Sequence, residues 1–183
     1  MRLLPHEILK ITGQEYQKLN KSFLGIDISA RNVMPVTRGV YYVDASDPMG
    51  RALVTDNTPA RCVYATGEIF CLRDRRVPLT CARLIHEFVH RCARRRVAFI
   101  MTSGLDINRG RTLLNEVLTE YLTRCILQSS YDKTANPHNL YIPYLPLIDA
   151  IVEETGLVPV AKAYLNGNIR FFKRFSRQLS LIW

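Results

Sequence analysis

His86-Glu87-Phe88-Val89-His90 is the most constraining stretch of this chain. On a helix, side chains four residues apart lie on one face, one turn above the other. Two imidazoles stacked in this way can serve one zinc ion, while Glu87, turned about 100° around the axis, points to the side where water on an open metal position would sit. Two ligands are not a catalytic zinc site, and a third protein ligand has to come from elsewhere. The next helical segment offers Asn115-Glu116-Val117-Leu118-Thr119-Glu120, in which Glu116 and Glu120 share a face. The competing donors are weaker. Cys81 and Cys92 flank the motif but point away from the His86/His90 line and read as core thiols, and His138 sits beside Pro137 in a loop with no supporting pattern.

The rest of the chain places these two helices behind a small sheet. Residues 5 to 20 are loosely periodic and predict a helix, and residues 25 to 35 read as irregular. From Gly39 the pattern turns to short β-rich runs at residues 40 to 43, 51 to 55, 61 to 65 and 68 to 72, the last two joined at Thr66-Gly67 as a two-residue hairpin turn. Pro78 in a first turn opens a helix expected to run to about Arg96, with Ala82, Ile85, Val89, Cys92 and Ala93 as its buried stripe. Residues 97 to 111 read as a connection, and residues 112 to 129 as a second helix with Leu113, Leu114, Val117, Leu118, Tyr121, Cys125 and Ile126 inward. Beyond Pro137 three further helices are expected, from Pro143 and Pro146 to Thr155-Gly156, from Val158 to Leu165, and from Ile169 to about Leu179. The fold class is therefore α+β: a small antiparallel or mixed sheet, two chemistry-bearing helices, then a helical C-terminal part. One domain is expected over 1–183, with an N-terminal arm at 1–38, a core at 39–130 and the helical part at 131–183.

Charge and sulfur narrow the setting. Of the 183 residues 48% are hydrophobic and 22% charged, an ordinary globular balance, but the net charge is +9 and eight arginines lie between Arg73 and Arg96. Such a surface favours acidic partners, and a solvated face explains it equally well. Aromatics are not interleaved with these arginines as a single-strand stacking platform requires, which disfavours nucleic acid. The Arg170, Lys173, Arg174 and Arg177 face reads as solvated. Five cysteines without paired motifs fit reduced, buried thiols, although a two-residue turn at Thr66-Gly67 would set Cys62 directly opposite Cys71, close enough to oxidise. No stretch approaches the roughly eighteen apolar residues of a membrane span. The opening residues lack a signal peptide's apolar run, so the expected location is cytoplasmic, or outside the cell by a route without a classical signal peptide.

The helix pair, His86-Glu87-x-x-His90 followed by Asn115-Glu116-x-x-Thr119-Glu120, resembles the gluzincin clan of zinc metallopeptidases, thermolysin-like enzymes among them, whose second motif reads Asn-Glu-x-x-Ser-Asp. Thr119 and Glu120 replace the Ser and Asp, and the interval from His90 to Glu116 is longer than in the thermolysin type. Leu114 to Leu122, with Ala163 to Asn168, is also similar to small bacterial gluzincin-like proteins and zincin toxin domains. The resemblance implies a zincin-like fold over about residues 39 to 128. It also implies Zn2+ held by His86, His90 and Glu116, with Glu120 accepting from the far nitrogen of His86 and Asn115 orienting His90.

Peptide hydrolysis is the chemistry this implies, with Glu87 as general base toward a zinc-activated water and the edge strand nearest the helix, within 61 to 65 or 68 to 72, taking an extended protein or peptide substrate. Gluzincins generally add a tyrosine, histidine or arginine from the C-terminal side for the oxyanion, and here Tyr141, Tyr144, Tyr131 and His138 are available, the first two at a helix start that can cap the cleft. Arg83 and Arg91, each four positions from Glu87, could hold it ionised or recruit acidic substrate side chains, and solvation is their commoner fate. A small, basic, leaderless chain suits a secreted effector or toxin. Two further readings stand beside the peptidase: a catalytically idle zincin scaffold acting as a basic module for nucleic acid or an acidic protein, and the same zinc-water chemistry on another amide or ester.

Overall fold

A computed structural model describes residues 2–3, 39–44, 46–48, 52, 54, 59–73, 81–97, 100–105, 112–128 and 139–183. The expected helix at 5 to 20, the irregular stretch at 25 to 35, Tyr131 and His138 lie outside the described residues.

Four strands, β1 (Arg2–Leu3), β2 (Val40–Asp44), β3 (Ala60–Val63) and β4 (Glu68–Arg73), form one sheet in the order β1-β2-β4-β3. The sheet is mixed. β1 runs antiparallel to β2 and β3 antiparallel to β4, while β2 and β4 run parallel with Tyr41 opposite Phe70, their rings stacked at 5.6 Å. Alternation decides the faces: Val40, Ala60, Cys62, Ile69 and Cys71 turn to the main core, whereas Val43, Phe70 and Leu72 form a smaller cluster with Val54 on the other side. Of the run expected at 51 to 55 only Ala52 and Val54 are described, and neither is in a strand.

The β3–β4 connection differs from its expectation. It is a four-residue turn, Tyr64 to Gly67, with Gly67 at φ 77° and donating its N–H to Val63 O at 2.7 Å. The register is therefore two residues away from a Thr66-Gly67 hairpin: Cys62 faces Ile69, Cys71 faces Ala60, and the two buried cysteines are not joined in a disulfide. The bond from Leu72 N–H to Pro59 O turns the backbone groups of Pro59, Arg61 and Val63 toward β4. Those of Ala60 and Cys62 consequently face away from β4, toward the outer side of β3.

Helix α1 (Cys81–Cys92) packs beneath β3 and against α2 (Thr112–Gln128). From Ala82 to Ala93 every residue but Arg83 is buried, so the helix is enclosed around its circumference. It ends at Cys92 rather than near Arg96, because Arg94–Val97 (β5) pairs antiparallel with Ile100–Ser103 (β6) in what the pattern reads as a helix end and a connection. This hairpin closes the helix: Gly104 N–H donates to Ala93 O at 2.9 Å and Ser103 Oγ to His90 O at 2.7 Å, which satisfies carbonyls that a helix C-terminus leaves open.

In α2, Leu114, Val117, Leu118, Leu122 and Ile126 recur at helical spacing and are buried, and the Thr119 and Thr123 hydroxyls donate to carbonyls one turn back, so they cost no unpaired donor in the core. The C-terminal part is a 3-10 turn (Asn139–Tyr144) containing Pro143, then α3 (Leu145–Thr155), α4 (Leu157–Leu165) and α5 (Ile169–Lys173), followed by turns to Ile182 rather than a helix to Leu179. Gly156 at φ 86° separates α3 from α4. α4 buries Val160, Ala161, Ala163, Tyr164 and Leu165, which drives the Tyr164 phenol into the core beside α2. Among the described residues no helix is long and apolar enough to cross a membrane.

Candidate metal centre

α1 and α2 bring one donor each from His86, His90 and Glu116 within 4.8 Å of one another, a group that can hold a metal ion. His86 Nε2 lies 3.2 Å from Glu116 Oε2, and His90 Nε2 lies 3.3 Å from each Glu116 oxygen. The edge of a tetrahedron of nitrogen and oxygen ligands around an ion of zinc's size is about 3.3–3.5 Å, given metal–ligand bonds near 2.0–2.2 Å. The two histidine–glutamate separations match that edge, and all three donors lie within 4.8 Å of one another, so the group can hold a metal ion.

The far side of each ring is held as well. His86 Nδ1 is 3.2 Å from Oε2 of the fully buried Glu120, whose other oxygen accepts from Arg124 Nε at 2.9 Å. His90 Nδ1 is 3.4 Å from Thr119 Oγ. Since the Thr119 hydroxyl donates to Asn115 O at 2.8 Å, it receives from the others: from the Tyr164 phenol at 2.6 Å and from His90 Nδ1–H. Both imidazoles therefore carry a proton at Nδ1, and both turn Nε2 toward Glu116, the tautomer a ligand at Nε2 needs. Asn115 has a different place from the one expected. Its Oδ1 accepts from Leu105 N–H at 3.0 Å, its Nδ2 is buried without a partner among the described residues, and Thr119 stands at His90 Nδ1 instead.

Electrostatics in the metal-free cluster follow from burial and pairing. Burial pushes His86 down, but its hydrogen bonds to Glu116 and Glu120 outweigh this and raise its pKa to about 10. Burial pushes the Glu116 carboxyl up, and the adjacent His90 and His86 overcome that, holding it well below the usual carboxylate range. Protons thus occupy the place a cation would take.

Glu87 is 8% exposed, and its Oε2 accepts from the backbone N–H of Cys62 on β3 at 2.6 Å. Two tyrosines flank the rings. Tyr141, in the 3-10 turn, stacks on His86 with 6.4 Å between centroids and 12° between planes, and burial together with Glu116 raises its phenol to about 12. Tyr64, the first residue of the β3–β4 turn, lies 5.9 Å from the His90 ring. Tyr144 packs against the helical core at the N-terminus of α3 and is not brought to the histidines by any hydrogen bond or ring contact among the described residues.

Sequence reasoning missed Tyr64, Thr119, Tyr164 and Arg124. Thr119 and Arg124 stand three and eight residues past Glu116 on the same helix, so their spacing was a usable signal, whereas Tyr64 and Tyr164 reach the site only through tertiary packing. Arg91 is a correction of a different kind. It is 2% exposed, donates from Nη2 to Gly39 O at 3.0 Å and lies over the Phe88 ring, so it ties α1 to the start of β2 and leaves the basic surface. Arg83 is half-buried, and Arg170, Lys173, Arg174 and Arg177 are exposed.

No family model, curated protein or solved structure matches the chain.

Proposed function

We propose that this chain is a zinc metalloendopeptidase of the zincin type. The observation that carries the reading is the convergence of two Nε2 atoms from α1 and the Glu116 carboxylate from α2, each imidazole backed at Nδ1 and a carboxylate, Glu87, on the same helix. Held by His86, His90 and Glu116, zinc supplies Lewis acidity, polarising a substrate carbonyl and bringing the pKa of a water toward neutrality.

The chain's own groups do the rest. Glu87 Oε2 is occupied by Cys62 N–H, so Oε1 is the atom that takes the proton of the attacking water and passes it to the leaving amine. The Tyr141 phenol stays protonated throughout the neutral range and donates toward the developing oxyanion. The backbone groups of Ala60, turned away from β4, offer an extended peptide a partner strand beside Glu87. Of the two expected edges only β3 qualifies, because β4 is paired on both sides.

Metal analysis of the purified protein and cleavage of an unbiased peptide library, wild type against Glu87→Gln, test the reading. One zinc per chain with cleavage lost in the variant is expected. A protein without bound metal, or one whose Glu87→Gln form cleaves normally, would remove it.

A further inference from the structure

Glu120 is fully buried, and its two oxygens are divided: Oε2 faces His86 Nδ1 at 3.2 Å and Oε1 receives Arg124 Nε at 2.9 Å. An i,i+4 arginine on an exposed helix face is an ordinary surface pair of little consequence. Arg124 is not such a pair. Its side chain is 26% exposed, its partner has no contact with solvent, and its Nη2 is buried with no acceptor among the described residues. A carboxylate carried this far into the core needs compensating charge, and Arg124 supplies a permanent one at Oε1, whatever the protonation of His86 at Oε2. The same contact fixes the rotation of the carboxylate about its own axis, since Nε–H holds one oxygen and leaves the other aimed at the ring.

We propose that Arg124 is a positioning residue of the metal site, acting through Glu120 to set the orientation of His86 and with it the affinity for zinc. The proposal rests on the zinc reading above. The path is four groups long, Arg124 Nε to Glu120 Oε1, Glu120 Oε2 to His86 Nδ1, and His86 Nε2 to the side where Glu116 lies. Three of the four groups stand on α2 at positions 116, 120 and 124, successive turns of one helix face. A shift of Arg124 is therefore felt at the metal donors without any change in the ligands themselves.

The test is zinc affinity, read by competition with a chromophoric chelator on the full chain, with hydrolysis left out of the readout. Arg124→Met keeps the apolar stem, Arg124→Gln keeps polarity without charge, and Arg124→Lys keeps the charge. Outer partners of metal-bound histidines change affinity by 10–100-fold, so a loss on the order of tenfold is expected for Met and Gln, with Lys recovering most of it. In a Glu120→Gln background the Arg124→Met change should add less than twofold, because the route is already cut. Wild-type affinity in both uncharged variants overturns the proposal, as does an undiminished effect in the Glu120→Gln background. Loss of folding in Met and Gln alike would also overturn it, by assigning Arg124 to the fold. A wild-type chain that takes no zinc refutes the function instead.

Discussion

The backbone N–H of Cys62 donates to Glu87 Oε2 at 2.6 Å, so the carboxylate that follows His86, one of the candidate metal ligands, is fixed by β3. Because that N–H points away from β4, proline at position 62 removes this bond and no ladder bond, and an edge strand tolerates proline in that orientation. Cys62→Pro should lower kcat/KM roughly 10–100-fold, the worth of a hydrogen bond to a charged group, about 1.5–3 kcal/mol. Zinc stoichiometry should not change. Ala60→Pro, whose N–H also faces away from β4 but reaches no carboxylate among the described residues, is the control, and equal losses in the two variants would count against the role of the bond.

Tyr141 and Tyr64 stand against different rings, His86 and His90. Tyr141→Phe is expected to lower kcat by on the order of 10²-fold with KM little changed, as removal of an oxyanion donor does. Steady-state kinetics of Tyr141→Phe and Tyr64→Phe separate the two. If Tyr64→Phe carries the loss instead, the donor is on the β3–β4 turn.

Zinc uptake should expel a proton at pH 7. In the metal-free protein burial lowers His86, but its bonds to Glu116 and Glu120 raise it to about 10, so the ring is protonated at neutrality, and ligation at Nε2 needs the lone pair. Calorimetric titrations in buffers of different ionisation enthalpy should show the release of about one proton. The sign for stability follows from a folded pKa above the unfolded value near 6.5. The contribution is fully present below pH 6.5 and is lost as pH rises through about 10. Urea midpoints of the chelated protein at pH 6 and pH 10 check this, and a flat or rising trend would contradict it.

Gly104 caps α1 with φ +54°, and a Cβ there would run into Asn115 Oδ1 and the Tyr164 ring. Gly104→Ala should destabilise the protein by about 2–4 kcal/mol, combining left-handed backbone strain with overpacking. Chemical denaturation followed by circular dichroism measures it, and a change under about 1 kcal/mol would mean that the neighbours move aside freely.

The parts of the site legible in the sequence are those written in a single helix period. His86 and His90 share a face by spacing, Glu116 and Glu120 by the same rule, and α2 was expected at 112 to 129 and found at Thr112–Gln128. What escaped depends on packing between elements. Arg94 to Arg96 are good helix formers, yet they enter a hairpin because β6 supplies a partner strand and Gly104 a place to turn, so tertiary pairing overrode propensity. Asn115 was expected at His90, but Leu105 N–H, from a turn the pattern left featureless, claims its oxygen. Tyr64 depends on a turn four residues long rather than two, and Tyr164 meets Thr119 across 45 positions of chain.

The two-residue offset between β3 and β4 also determines how this protein meets oxidants. An even slip leaves Cys62 and Cys71 on one face but staggered, and diagonal neighbours in a sheet sit about 7–8 Å apart, beyond what an S–S bond spans at rest. Burial further pushes the Cys71 thiol up, away from the reactive anion. Under oxidising conditions the strand that carries Cys62 is thus not stapled to its neighbour, and the hold of that strand on Glu87 does not depend on a Cys62–Cys71 bond.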